Sequence, residues 1–289
     1  MILQFLLNGL ITGSIYALVS IGFALVYNTT RIFHIAYAVL YMVAPYLLMS
    51  ALRSFGLPVV MSLVVAISLT VLLSVVIELG VYRPLEEKNS SSNIVMISAI
   101  GVMIVVINAI ALIYGNETQI LNPDISQSIH IGNVIVTYTQ LMQLVVSGFL
   151  ILAFLFFLRF SRFGITTRAL RDDKELCEVY GMNARNFRVV LFALSGFFAA
   201  AGGLLVSWDV GMDPYVGMPM LLNAVVALII GGIGKFHAPV IGGLLLGVLQ
   251  ALSVMVFSAN WKDAITFGVL VLFLLFRPQG FIGEKRRLV

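Results

Sequence analysis

Residues 159–188 read RFSRFGITTRALRDDKELCEVYGMNARNFR, the one long stretch of this chain in which charge dominates. It carries seven of the seventeen lysines and arginines (159, 162, 168, 171, 174, 185, 188) and four of the thirteen acids (172, 173, 175, 178). The sequence on either side, 139–158 and 188–208, is close to pure hydrocarbon. A basic block between two apolar spans stays on the cytoplasmic side, because loops rich in lysine and arginine resist translocation. Within it, Asp172 to Tyr180 lacks Gly and Pro and ends at Gly181, the pattern of a short helix with a C-terminal stop. Asp172 and Asp173 at its start suit the positive end of the helix dipole. A polar helix held at the membrane surface is a docking point for a soluble partner. The competing reading is a solvated loop whose charges report orientation only.

The composition beyond this block bounds the fold. The 289 residues are 61% hydrophobic and 10% charged, with a mean hydropathy of +1.07. Soluble domains are roughly 45–50% apolar and about 25% charged. Repeated apolar runs of about 20 residues predict an all-α fold, a polytopic transmembrane helical bundle forming one domain over 1–289. The alternating pattern of a β-barrel is absent. The net charge of +4 reports topology and not nucleic-acid binding, because the bases sit in particular loops. The single Cys177 excludes an internal disulfide and any cysteine-based metal site. The opening MILQFLLNGL has no basic n-region and runs into a long apolar segment, so this first helix is expected to be retained.

In chain order, spans are predicted at about 2–27, 34–52 (interrupted by Pro45), 57–80, 94–114, 139–158, 188–208, 239–257 and 264–276. A further apolar stretch, 220–233, is short for a crossing and leads into GGIGKFHAPVIGG, whose Gly and Pro density predicts a broken segment. The count is therefore eight to nine. Residues 115–138 contain Glu117 and Asp124 but no Lys or Arg and are placed outside, whereas the tail RPQGFIGEKRRLV is basic and cytoplasmic.

Several segments carry a family resemblance: Glu78 to Leu85 (ELGVYRPL), Arg168 to Asn183, Tyr215 to Gly217, Gly231 to Gly234 with Gly242 and Gly243, and Arg277 to Gly283 (RPQGFIG). In this order and spacing the set resembles the membrane subunits of branched-chain amino acid ABC importers, of the high-affinity leucine type. The resemblance implies a translocation subunit in a bacterial or archaeal inner membrane, not itself an enzyme. It implies two cytoplasmic ATPase subunits that bind ATP and Mg, no cofactor on this chain, and an external solute-binding protein. A second permease is implied as well, usually an unlike chain, two identical copies being the alternative. The stretch Arg168 to Asn183 looks like the family's ATPase-coupling loop, with Arg168, Arg171, Asp172, Asp173, Glu175, Glu178 and Gly181 as coupling residues. Cys177 stands where the family usually has Ala. Two departures bear on the substrate. Where the family reads Asn-Phe-Ala-His-Gly and an acid, this chain has His34-Ile35-Ala36-Tyr37-Ala38-Val39, and Asn223 replaces a Lys before Ala224. Branched-chain or other small neutral amino acids are the default cargo, with urea, amides or another small polar solute next.

Individual residues have two readings each. His34, Tyr37 and Tyr41 follow helical spacing on one face, which lines a solute path or packs between helices. Asn8, Asn108, Asn223 and Gln250 sit in apolar runs as interhelical glue or path lining, Asn223 being preferred for the path. Gly231 and Gly232 permit a broken helix at the substrate region or simply close packing. Glu78 lies about one and a half turns from Arg83 and is read as an interface charge pairing there or snorkelling to the surface. GGIGKF lacks the first Gly and the hydroxyl residue of a phosphate-binding loop. His34, His130 and His237 are too scattered for a metal site. A stand-alone secondary carrier or channel is the rival class, weakened because Glu78 is the one serious candidate for ion coupling.

Overall fold

The computed structural model describes residues 2–121, 128–131, 134–258, 261–277 and 279–282. The basic end of the tail, Gly283 and Pro278 of the RPQGFIG segment, and 122–127 and 132–133 of the 115–138 loop lie outside the described residues.

The chain is built of helices: α1 (Ile2–Thr30), α2 (Tyr37–Arg53) and α3 (Val59–Ile77), which runs through a π-helical turn (Glu78–Tyr82) into α4 (Arg83–Glu87). Next come α5 (Ser92–Tyr114), the strands β1 (Ser128–Ile131) and β2 (Val134–Thr137), α6 (Tyr138–Phe160), α7 (Arg162–Asp172) and α8 (Lys174–Val179). The chain continues with α9 (Ala184–Val210), α10 (Gly217–Gly231), α11 (Ala238–Val256) and α12 (Lys262–Phe276). Among the described residues, six stretches are long and apolar enough to cross a membrane: α1, α3 with its extension to Glu87, α5, α6, α9 and α11, while α2 and α10 are shorter apolar helices. The antiparallel β1–β2 pair, Ser128 opposite Thr137, is not part of the expected all-helical pattern. Thr137 closes it with a reciprocal capping box to Gln140 that starts α6.

Two compact units interleave along the chain. One comprises Met1–Ala24, Asp124–Ser161 and Leu222–Val289; the other comprises Leu25–Pro123 and Arg162–Leu221. In the first, α1 lies against α11 through glycines: a Cβ on Gly13 would stand 2.9 Å from Leu244 Cα, and one on Gly9 2.8 Å from Val248 Cα. Small residues let the two backbones approach, which is how helices associate without a hydrophobic driving force. Gln4 extends the ribbon, accepting from Ile135 N at 2.8 Å and donating to its carbonyl at 2.7 Å. α10 stops at Gly231 and α11 starts at Ala238, with Gly232 (φ +119°) and Gly234 (φ +105°) making the turn. Phe281 N and Ile282 N cap the last carbonyls of α10 at Ile230 and Gly231.

In the second unit α2 is the centre, with thirteen of its 17 residues buried against α3, α5 and α9. Pro45 does not interrupt it as the sequence suggests; α2 runs unbroken from Tyr37 to Arg53. The proline lacks an N–H for the Tyr41 carbonyl. Gly203 of α9 sits against that oxygen so closely that a Cβ there would overlap it. The neighbouring helix thus covers the site that proline weakens.

Candidate functional site

The charged stretch that opens the sequence reading folds as a helical hairpin with its own small core. Leu170 of α7, Cys177 of α8 and Ala184 of α9 are buried together, under Met182 and Phe187. Phe163 stacks on Phe187 with ring centroids 4.8 Å apart. The expected helix from Asp172 to Tyr180 is shorter and differently bounded. Asp172 ends α7 and pairs with Arg171 at 2.6 Å. Asp173 is extended (φ −154°, ψ 106°), and its carboxylate accepts from Leu176 N at 2.9 Å as the N-cap of α8. Gly181 has φ +81°, the left-handed stop that the sequence predicts. Met182 N then bonds Cys177 O at 3.0 Å, and Asn183 caps α9. Burial pushes the Cys177 thiol above its ordinary value, with Asp173 and Asp172 adding to the rise.

Glu175 and Glu178 are exposed on α8, as expected of a surface helix. The sequence reading passes over their apolar neighbours. Leu176, Val179 and Tyr180 are 53%, 82% and 79% exposed, a large apolar tip on an otherwise charged element. The signal was present in the sequence as LCEVY inside a polar loop.

Ion pairs tie this hairpin to the end of α3. Lys174 of α8 bonds Glu86 of α4 at 2.6 Å, and Arg188 of α9 bonds Glu86 as well. Arg185 and Arg83 both reach Glu87 at 3.4 Å. Below them Arg188 Nη2 donates to Glu78 Oε2 at 3.0 Å, and Nε stands 2.9 Å from Oε1 as a charge contact. These groups line a cavity of about 260 Å³. The outer pairs are half-exposed and contribute little each, but Glu78 and Arg188 are 2% and 7% exposed. Glu78 is thus bonded to Arg188, and Arg83 takes Glu87, four residues on in the same helix. The pairing read along one helix is replaced by a pairing between helices. Arg188, the last base of the charged stretch, is a buried partner.

The π-helical turn explains the geometry. Its wider winding, in which Arg83 N reaches back to Glu78 O, presents both Glu78 and Tyr82 to α9. Glu78 meets Arg188, and Tyr82 meets Phe192 one turn further, with ring centroids 5.5 Å apart. Ser74 fastens the same place by donating to Phe192 O at 2.6 Å. The Tyr82 hydroxyl and His34 Nδ1 are 2.7 Å apart in a buried hydrogen bond. His34 packs edge-on to Tyr37, Tyr82 and Phe192, and its Nε2 has no hydrogen-bond partner among the described residues.

Tyr37 and Tyr41 are buried on α2, in the same unit as His34. Asn223, Gly231 and Gly232 belong to the other unit. Asn223 accepts from Gln250 Nε2 at 3.0 Å, in a buried network where Gln250 also accepts from Tyr16 at 2.8 Å and meets Thr266. The network links α1, α10, α11 and α12 by hydrogen bonds. Gly231 and Gly242 serve close packing: a Cβ on either would overlap a backbone carbonyl, of Ala238 and Ala227 respectively. Gly242→Ala is expected to lower stability by about 1–3 kcal/mol, as forced overpacking does. A thermal-shift scan of the detergent-solubilised protein measures it, and an unchanged midpoint contradicts the close approach.

A bundle of long apolar helices bearing a charged helical hairpin defines a polytopic membrane protein. Residues 5–274 match the family described as branched-chain amino acid transport system / permease component. The permease protein BraD of Pseudomonas aeruginosa, described as part of a high-affinity branched-chain amino acid transport system, is 32% identical, covering 98% of this chain and 96% of its own length. LivH of Escherichia coli K12, described likewise, shows the same identity and coverage. Among solved structures, a chain of PsaBC from Streptococcus pneumoniae in complex with Fab shares the fold, with a TM-score of 0.52 at 14% identity over 99% of this chain and 94% of that one. The chain belongs to the branched-chain amino acid transport permease family.

Proposed function

We propose that this chain is a membrane-spanning permease subunit of an ATP-driven importer, carrying branched-chain or other small neutral amino acids. The observation that supports this most is the near full-length match to permeases of that description, from residue 5 to residue 274. In this reading, ATP and Mg bind to two separate cytoplasmic ATPase chains. A second permease, unlike this one, completes the path, and an external binding protein delivers the solute. In this reading the six long helices are joined as crossings by α2 and α12, and α10 is either a ninth crossing or a re-entrant segment, giving eight to nine membrane segments. The protein lies in a bacterial or archaeal inner membrane, with its C-terminus and the 159–188 loop inside and 115–138 outside.

The α7–α8 hairpin is the ATPase-coupling element. Its apolar tip at Val179 and Tyr180 enters the partner, while Arg168, Arg171, Asp172, Glu175 and Glu178 set the charge around it. Asp173 and Gly181 fix the two ends of α8. Affinity purification from a membrane that also contains the ATPases tests the assignment. Recovery of two ATPase subunits with this chain is expected; solute uptake by the chain alone would overturn it.

A further inference from the structure

We propose that Tyr82 and Arg188 are positioning residues that carry movement of the α7–α8 hairpin to the start of α2. The inference rests on the reading of that hairpin as the ATPase-coupling element. Four joints make a continuous mechanical line inside one compact unit. Lys174 of α8 holds Glu86 at 2.6 Å, and Glu86 also holds Arg188. Arg188 pairs with Glu78, Nη2 donating to Oε2 at 3.0 Å. Glu78 and Tyr82 are the first and last residues of the π-helical turn, and Tyr82 is bonded to His34 at 2.7 Å. His34 stands three residues before α2, the most enclosed helix of its unit.

Two features mark this line as one that changes between states. A π-helical turn is an over-wide winding that can relax to α geometry by shifting one residue, which rotates everything beyond it. Such a shift would separate Glu78 from Arg188 and Tyr82 from Phe192. The second feature is the buried Nε2 of His34, which has no hydrogen-bond partner among the described residues. A buried polar atom left unpaired is costly, so an arrangement that supplies a partner gains stability. A ligand or nucleotide shifts an equilibrium only through contacts that differ between the two states, and these are such contacts. The test reads coupling between the two ends of this line directly.

Hydrogen–deuterium exchange followed by mass spectrometry on the assembled complex provides the test, comparing the nucleotide-free state with the state trapped by ATP and vanadate. In the wild-type complex, trapping is expected to change exchange in 172–183 and also in 32–41. In Tyr82→Phe, which keeps the ring and removes the hydroxyl, the response of 172–183 is retained. The response of 32–41 falls by roughly fivefold or more, the lower end of usual site-to-site coupling, while nucleotide-free exchange stays as in wild type. Arg188→Lys, read the same way, gives the same split. If Tyr82→Phe does not assemble, His34→Gln breaks the same bond from the other side and is read identically. An undiminished response of 32–41 in these variants overturns the inference. No response of 172–183 in the wild-type complex overturns instead the coupling assignment on which it rests.

Discussion

Arg188→Met is expected to destabilise the folded chain by about 3–5 kcal/mol, the usual cost of removing one partner from a buried ion pair. The side chain is 7% exposed and is ion-paired with Glu78, itself 2% exposed, through one hydrogen bond from Nη2 to Oε2 and a close Nε–Oε1 approach at 2.9 Å. Without it, a carboxylate remains enclosed between α3 and α9 and must protonate or draw in water. The double replacement Glu78→Leu with Arg188→Met removes the stranded charge and is expected to recover most of the loss, since packed apolar groups often match a buried pair. Thermal unfolding of the two single variants and the double variant measures this. Equal and additive losses would show that the pair is not a unit.

The second large effect concerns binding. Tyr180→Ala is expected to weaken capture of the ATPase by at least about 2 kcal/mol, or roughly thirtyfold, as for an aromatic anchor at the centre of an interface, and Val179→Ala by about 1–1.5 kcal/mol, for the two carbons it loses. Both side chains are about four-fifths exposed in the chain by itself, at 82% and 79%, so their truncation removes no internal packing and stability stays unchanged. Glu175→Ala, on the same helix, is expected to cost less than about 1 kcal/mol, because charges at an exposed rim contribute little. The measurement is the ATPase concentration needed for half-maximal capture on the immobilised permease. Full affinity in both variants would move the interface elsewhere.

What the sequence reveals here follows from how local each signal is. Long apolar runs locate helices well: α5 was expected at 94–114 and lies at Ser92–Tyr114, and α6 at 139–158 lies at Tyr138–Phe160. The Gly181 stop was legible because a left-handed residue after a short polar helix is a property of a few neighbouring residues. The partner of Glu78 was hidden for the opposite reason. It is 110 residues away, and the residue nearer in sequence, Arg83, has a better partner in its own helix. The π turn was equally hidden, since no residue type announces it, yet it decides which side chains face α9. Pro45 misleads because its helix-breaking tendency is a cost and not a prohibition, and close packing by Gly203 overcomes it. Among the residues expected to line a path, Asn223 lies in a satisfied buried network and His34 bonds to Tyr82, both decided by tertiary contacts.

The central claim is that this chain provides a passage driven by ATPases on other chains. Uptake of radiolabelled leucine into proteoliposomes tests it, comparing the complete complex, the same complex without ATP, and this permease chain reconstituted alone, each with the binding protein on the substrate side. The account predicts accumulation against a gradient only when the ATPase subunits and ATP are both present. Accumulation by the chain alone, or by the complex without ATP, would contradict it.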